Sequence, residues 1–329
     1  MWDLVNRTRF AVASSFARDR EGAESLLVAI RATFTIGAAR TLLVAEEQAP
    51  VARTPAFVGD PARSSLLADV DFAPPKTATD VVLLGHACTV EQRPSIAVEV
   101  GARVGAWEKR LVAIGDRRWR RGAAGPLLDD PAPFVRVPLL YERAYGGARG
   151  GEVFEANPVG RGYARKGDDL DGLTAPNLED PRELVSSPYD RPRPMSLGPV
   201  ARAWLPRRRL AGTFDDAWRT ERRPLPPADF DHAFWQCAPP DQRAALLGGE
   251  PVELTGVAPT GALRFDLPRL RFAVRSRLSR RRVAHPASLA TVVFEPDLRR
   301  VSLVFVSALA VHHALHELER TIVEEEKAA

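Results

Sequence analysis

Leu26-Leu27-Val28-Ala29-Ile30-Arg31-Ala32-Thr33-Phe34-Thr35-Ile36 is the stretch that decides the fold class. Leu26, Val28, Ile30, Ala32, Phe34 and Ile36 are apolar at strict period two over eleven residues. A helix repeats every three or four residues, so this pattern predicts a half-buried β-strand, and the β-branched content agrees. Residues 41–45 read as its hairpin partner across a turn at Gly37. Further out, residues 81–84, 96–100 and 111–114 form short strands bounded by Gly, Pro or Asp. Leu263, Phe265 and Leu267 alternate, as do Leu270, Phe272 and Val274. Residues 290–294 and 301–305 flank Glu295-Pro296-Asp297-Leu298 as a second hairpin.

Twenty-eight prolines and 23 glycines break helices and supply turns, so the elements are short and the loops long. The expected fold is mainly β: antiparallel β-sandwich or barrel-like sheets with long ordered loops and a few short helices. One such helix is expected over residues 241–247, between Pro239-Pro240 and Gly248-Gly249. The C-terminal segment, residues 311–326, fits two patterns. It can be a helix with Leu315, Leu318 and Ile322 on one stripe, or a strand with Leu318, Arg320 and Ile322 on one face.

The chain has 329 residues, 45% hydrophobic and 27% charged, which suits a globular protein with a real core. It reads as one domain over residues 1–329, or as two packed halves, 1–140 and 141–329. Asp3, Arg7 and Arg9 interrupt any apolar leader, so no secretory signal is expected. The longest apolar stretch, residues 303–311, is about half the ~20 residues of a membrane-spanning helix. The expectation is a cytoplasmic protein without a membrane partner. Cys88 and Cys237 stand far apart and read as two small buried thiols. Net charge is +4, and the positive charge is almost all arginine, clustered at 117–121, 207–209, 280–282 and 299–300. No basic tail or nucleic-acid module accompanies these clusters, so nucleic acid is not the expected partner.

Catalytic signatures are sparse. No Gly-x-Ser-x-Gly elbow or Walker A string occurs. Gly146, Gly147, Gly160 and Gly162 could cradle a phosphate, but no strand-to-helix context supports this, and tight turns are the plainer reading. Asp168, Asp169 and Asp171 lack the spacing of a calcium loop and read as a solvated turn. His312 and His316 would share a helical face, the spacing zinc sites use, but no third ligand is identifiable. No metal or cofactor is therefore expected. Asp215-Asp216, Glu142 and Glu250 could supply paired carboxylates if folding brought them together.

Between Pro138 and Asp241 the periodicity fades and loop residues dominate, yet Trp204, Trp218 and Trp235 lie here. Such aromatics argue for ordered loops packed on the sheets. In order, this region carries YERAYGG (141–147), NPVGRGY (157–163), PNLED (176–180), GPVARAW with LPR (198–207), GTFDDAW (212–218) and PPADFDHAFWQCAPPDQ (226–242). TDVVLLGHA (79–87) and GDRRW (115–119) precede them. The set resembles a bacterial domain-of-unknown-function family encoded beside type VI secretion genes, whose members are regarded as effector adaptors or chaperones beside the Eag and Tap types. The resemblance implies a non-catalytic protein that holds a cognate effector and assists its loading on the PAAR-tipped VgrG spike. It carries over no catalytic residue. Arg, Tyr and Trp are enriched at interface hot spots, so the partner-binding candidates are Tyr141, Arg143, Tyr145, Asn157, Arg161, Tyr163, Arg202, Trp204, Arg207, Asp215 and Trp218. Each motif also has a structural reading, in which Gly146, Gly147, Gly160 and Gly162 satisfy backbone geometry and Trp204 and Trp218 close the core. Two rivals remain open: a hydrolytic enzyme using loop carboxylates, which needs them convergent in a deep pocket, and a nucleic-acid-binding β module, which needs the arginines on one face.

Overall fold

The computed structural model describes residues 2–326 except Ala39, Ala124, Arg280, His312 and His313. Fifteen strands carry the argument. They are β1 (Asp3–Asn6), β2 (Ala11–Arg18), β3 (Glu24–Ile36), β4 (Leu42–Val44), β5 (Thr79–Leu83), β6 (Ala97–Val104), β7 (Trp107–Ile114) and β8 (Leu178–Glu179). Then follow β9 (Arg243–Ala244), β10 (Pro251–Thr255), β11 (Leu263–Asp266), β12 (Phe272–Leu278), β13 (Arg281–Glu295), β14 (Arg300–Ala310) and β15 (Leu318–Glu325).

The long strands β3, β14 and β13 form the centre of a ten-stranded sheet and change partners halfway along. At one end the order β1-β15-β12-β13-β14-β3-β2 curls into a nearly closed, barrel-like sheet. At the other end β4 replaces β2 beside β3, and β5 replaces β12 beside β13. A five-stranded sheet, β8-β7-β6-β10-β11, packs against this second end. All ladders named here are antiparallel except β1/β15 and β5/β13. The fold is mainly β, as the period-two pattern predicts, and strands from both sides of residue 140 share one sheet.

β3 departs from the half-buried expectation, because both its faces are covered. Leu26, Val28, Ile30, Ala32, Phe34 and Ile36 belong to the main core, which also takes in Val100, Leu111 and Leu254 of the second sheet. Each such aliphatic side chain contributes roughly 1.5–3 kcal/mol when fully buried. The opposite face is covered by a strap over residues 45–72. Ala29 packs under Val51 and Phe72, and Arg31 pairs with Asp71 at 3.1 Å. Where β3 passes from β2 to β4, the Gln48 side chain fills the gap. Its Oε1 accepts the Thr33 N–H at 2.9 Å and its Nε2 donates to the Thr33 carbonyl at 3.0 Å. The alternation recorded the more apolar face, while small and polar residues under the strap disguised the other.

Two further expectations change. Residues 241–247 are not a helix: Pro240–Gln242 make one 3₁₀ turn, and Arg243–Ala244 then pair with β5 as β9. Proline before the turn fits its start, but the Gln242 side chain is drawn into the core, where it bonds the Val81 and Leu197 carbonyls. That anchor favours an extended exit. The C-terminal segment is a strand, but its inward face is Leu318, Thr321 and Val323 rather than Leu318, Arg320 and Ile322. A bulge beside β12, where Leu278 faces Leu318 and Arg277 faces Arg320, shifts the alternation by one residue.

The barrel-like end holds a polar chain among apolar residues. Trp2 Nε1 donates to Thr321 Oγ1 (3.2 Å), Thr321 bonds Ser276 (2.8 Å), and His285 lies between Ser276 (2.9 Å) and Ser307 (2.7 Å). Cys88 and Cys237 are both buried and free. Among the described residues, no helix is long and apolar enough to cross a membrane.

Candidate functional site

The motif-rich segment lies over the sheets as ordered loops and divides its candidate residues among three places. Tyr141, Arg143, Tyr145, Asn157 and Arg161 meet in one knot. Residues Tyr145–Gly146 pair in parallel with Arg161–Gly162. Asn157, fully buried, donates from Nδ2 to the Tyr141 and Tyr145 carbonyls at 2.8 and 2.9 Å. Its own carbonyl accepts the Gly147 N–H at 2.8 Å. This close approach requires glycine: Gly146 has φ 149°, and a Cβ there would stand 2.2 Å from the Asn157 oxygen. The glycines are therefore occupied by chain packing. Asn177 completes the knot, accepting from Arg161 (3.2 Å) and Arg143 (3.4 Å) and donating to the Ile114 carbonyl (2.8 Å). Tyr163 sits at its edge, hydrogen-bonded to Glu152 and covered by the Arg191 guanidinium at 5.0 Å.

Arg202, Trp204 and Arg207 form a second cluster. Trp204 is not an exposed anchor: it is 4% exposed and packs edge-on against Tyr141 at 5.5 Å. Its truncation is a core deletion. Arg207 is buried too, bonding the Asp69 carboxylate and the Val200 and Phe234 carbonyls. Burial alone would raise the Asp69 pKa, but Arg207 and Arg202 outweigh it and hold the carboxyl below its ordinary range. Arg202 remains half-exposed, over the Trp235 ring at 5.3 Å.

The third place is a cleft of about 870 Å³. Its floor is the outer face of the sheet, with Leu27 of β3 beside Ala308 of β14. One wall is the β2–β3 hairpin, Arg18 to Glu21, and the other carries Phe214, Trp218, Phe230, Phe234 and Trp235 with Pro224 to Pro227. Trp218 is half-buried, donates Nε1 to the Leu225 carbonyl at 2.8 Å, and meets Phe214 edge-on at 4.8 Å. Phe214 is 58% exposed, so the wall offers an aromatic surface that its own packing does not consume. Asp215 receives the Trp218 N–H at 2.8 Å, just ahead of a π-turn over Trp218–Arg222. Of the eleven candidates only Trp218 lines this cleft, with Asp215 behind it holding its N–H, and Phe214, Phe230 and Phe234, which are not among the candidates, line it too. Their signal was present, since Phe230, Phe234 and Trp235 crowd six positions between prolines and acidic residues.

The groups considered for chemistry are engaged separately. Glu142 accepts from the Ser65 N–H and hydroxyl, Glu250 from the Leu247 and Gly248 N–H groups, and Asp215 from Trp218. These three carboxylates share no hydrogen-bond partner. Asp168 pairs with Arg165 and Arg149. Among the described residues no group of three or more His, Cys, Asp or Glu is placed to hold a metal. His312 lies outside the described residues. Several of the clustered arginines pair within the chain: Arg117 with Glu179, Arg120 with Asp129, Arg208 with Glu155, and Arg299 with the Ile36 and Gly37 carbonyls.

A second cleft, about 730 Å³, opens on the outer face of β5 and β13, with Lys76 and Cys237 in its lining. Lys76 Nζ bonds Asp80 at 2.7 Å and Thr291 at 3.0 Å, and Asp80 also accepts the Cys237 N–H at 2.8 Å. Lys76 is one of four lysines in an arginine-rich chain, the one cue to this cluster that the sequence carries.

A barrel-like, mainly antiparallel sheet carrying a long ordered loop segment is thus the class of protein the fold defines. A family model described as "Uncharacterized protein conserved in bacteria (DUF2169)" matches residues 21–305, and the chain belongs to that bacterial family. No curated protein and no solved structure matches the chain.

Proposed function

We propose that this protein is a non-catalytic adaptor or chaperone that binds a type VI secretion effector and assists its loading on the PAAR/VgrG spike. The secretion context comes from the resemblance in the loop motifs. The observation that carries the binding reading is the open cleft walled by Phe214, Trp218, Phe230 and prolines. Ordered aromatic side chains that remain half-exposed give large apolar contact area at low entropic cost, the make-up of protein-recognition surfaces. The floor is sheet rather than loop, so the groove is preformed.

Co-expression with a cognate type VI effector is expected to raise that effector's soluble level and give a complex on gel filtration. Phe214→Ala and Trp218→Ala are expected to weaken the complex by about 1–3 kcal/mol each, as interface anchors do. Phe214 is the cleaner probe, because its exposed ring contributes little to the core. Unchanged affinity in both folded variants would remove the cleft from the interface. Failure of the wild-type chain to bind effector or spike protein would remove the adaptor reading.

A further inference from the structure

The barrel-like sheet closes everywhere except between its first two strands. Among the described residues, β1 pairs only with β15 at this end, and β2 only with β3. The register decides which backbone groups of β2 look into the open seam. Asp19 N–H bonds the Ala23 carbonyl, and the pairing of residue 18 with 24 continues that phase, so odd-numbered residues of β2 bond to β3. The far side of β3 agrees: Ile36, an even position, donates toward the Arg299 carbonyl next to β14. Val12, Ser14, Phe16 and Arg18 therefore turn their N–H and C=O groups outward. Among the described residues, the one hydrogen bond reaching this row is Arg53 to the Ser14 carbonyl, at 3.5 Å.

Natural edge strands are blunted by charges, prolines or bulges. Residues 11–17, Ala-Val-Ala-Ser-Ser-Phe-Ala, contain none of these over seven paired positions of uninterrupted register, and the charge comes only at the eighth, Arg18, where the strand ends. Phe16 is 45% exposed, and its ring meets Trp2 at 5.7 Å across the seam, so an aromatic bridge stands where a ladder would be. β2 also ends in the aromatic cleft, whose wall begins at Ala17 and Arg18.

We infer that the seam beside β2 takes an extended, uncharged segment of the partner protein as an added strand, bonded to the backbone of Val12 to Arg18. This rests on the adaptor reading and supplies its binding mode. Backbone donors and acceptors at strand spacing are complementary to another strand and to little else. Eight residues offer about 26 Å of edge at the usual rise. A segment laid along it runs on into the cleft, where its next side chains meet Trp218 and Phe214.

Ser14→Pro tests this directly. Proline deletes one outward N–H and leaves the odd-numbered ladder to β3 intact, a position where edge strands accept it. In the whole chain co-expressed with a cognate type VI effector, Ser14→Pro is expected to bind at least tenfold more weakly, with Ser14→Ala unchanged. Amide exchange on the wild-type complex supplies a readout independent of any variant: Val12, Ser14, Phe16 and Arg18 should gain protection on binding. Tight binding by folded Ser14→Pro without such protection overturns the strand and leaves the adaptor reading standing. A wild-type chain that binds no effector overturns both. Self-association of the chain alone, lost in Ser14→Pro, would give the edge to a second copy and overturn the partner assignment.

Discussion

Asp80→Ala is expected to destabilise the protein by about 3–5 kcal/mol, the usual cost of leaving one member of a buried ion pair uncompensated. Asp80 is fully buried at the start of β5 and supplies the carboxylate facing Lys76, whose side chain is 5% exposed. Burial pushes the Cys237 thiol far above its ordinary pKa, so that group is neutral and offers Lys76 no counter-charge. Truncation leaves Thr291 as the remaining hydrogen-bond partner of the ammonium among the described residues and also orphans the Cys237 N–H. Gln236 Nε2 loses a weaker contact at 3.4 Å and keeps the Ala78 carbonyl. The double variant Lys76→Met/Asp80→Leu should recover most of the loss, because replacing both charges by apolar groups removes the desolvation cost as well. Urea denaturation measures both. A loss under about 1 kcal/mol in Asp80→Ala would mean that water reaches the pair. The effect extends to the candidate site, since residues 236–238 follow directly on Trp235 of the cleft wall. A loosened Asp80 cluster should therefore weaken partner binding beyond its effect on folding.

β3, its partner β4, the residue 295–298 turn and the strands on either side of it follow from alternation and turn residues, because each is local. Three things were not local. The strap over β3 comes from residues 45–72, whose own sequence has no strong period, so the second buried face was invisible. The bulge between β12 and β15 depends on how two distant strands meet, and it moved the inward face of the last strand by one residue. The candidate site suffered from the same limit. Arg and Trp of the loop motifs carry equal weight in sequence as interface anchors or internal ties. Only folding shows Asn157, Trp204 and Arg207 buried, and Phe214 and Trp218 on an open wall. Asp69, which holds both Arg202 and Arg207, lies over 130 residues away in the chain. No spacing rule connects them.

His285 makes the stability of this protein depend on pH in a window that can be stated in advance. Burial lowers its pKa from the ordinary 6.5 to about 4, since the imidazole sits among Ser276, Ser307 and Thr321, whose hydroxyls carry no charge to balance a cation. A neutral ring suits this place, because one ring nitrogen donates, the other accepts, and each adjoining hydroxyl can turn to match. Between the two pKa values the unfolded chain binds a proton that the folded chain refuses, so stability rises with pH there. The contribution is fully present above about pH 6.5 and falls away as pH drops towards 4. A difference of 2.5 units corresponds to about 3 kcal/mol at the acid end, of which about 2 kcal/mol is lost by pH 5. Carboxylates titrate in the same region, so the wild-type slope alone does not isolate the histidine. His285→Gln removes the titrating group and keeps a donor and an acceptor. Its unfolding free energy should fall less steeply than wild type between pH 7 and 5, by that same ~2 kcal/mol. Parallel slopes in the two proteins would show that the ring accepts its proton inside the folded barrel, with water or a neighbouring group admitted to balance it.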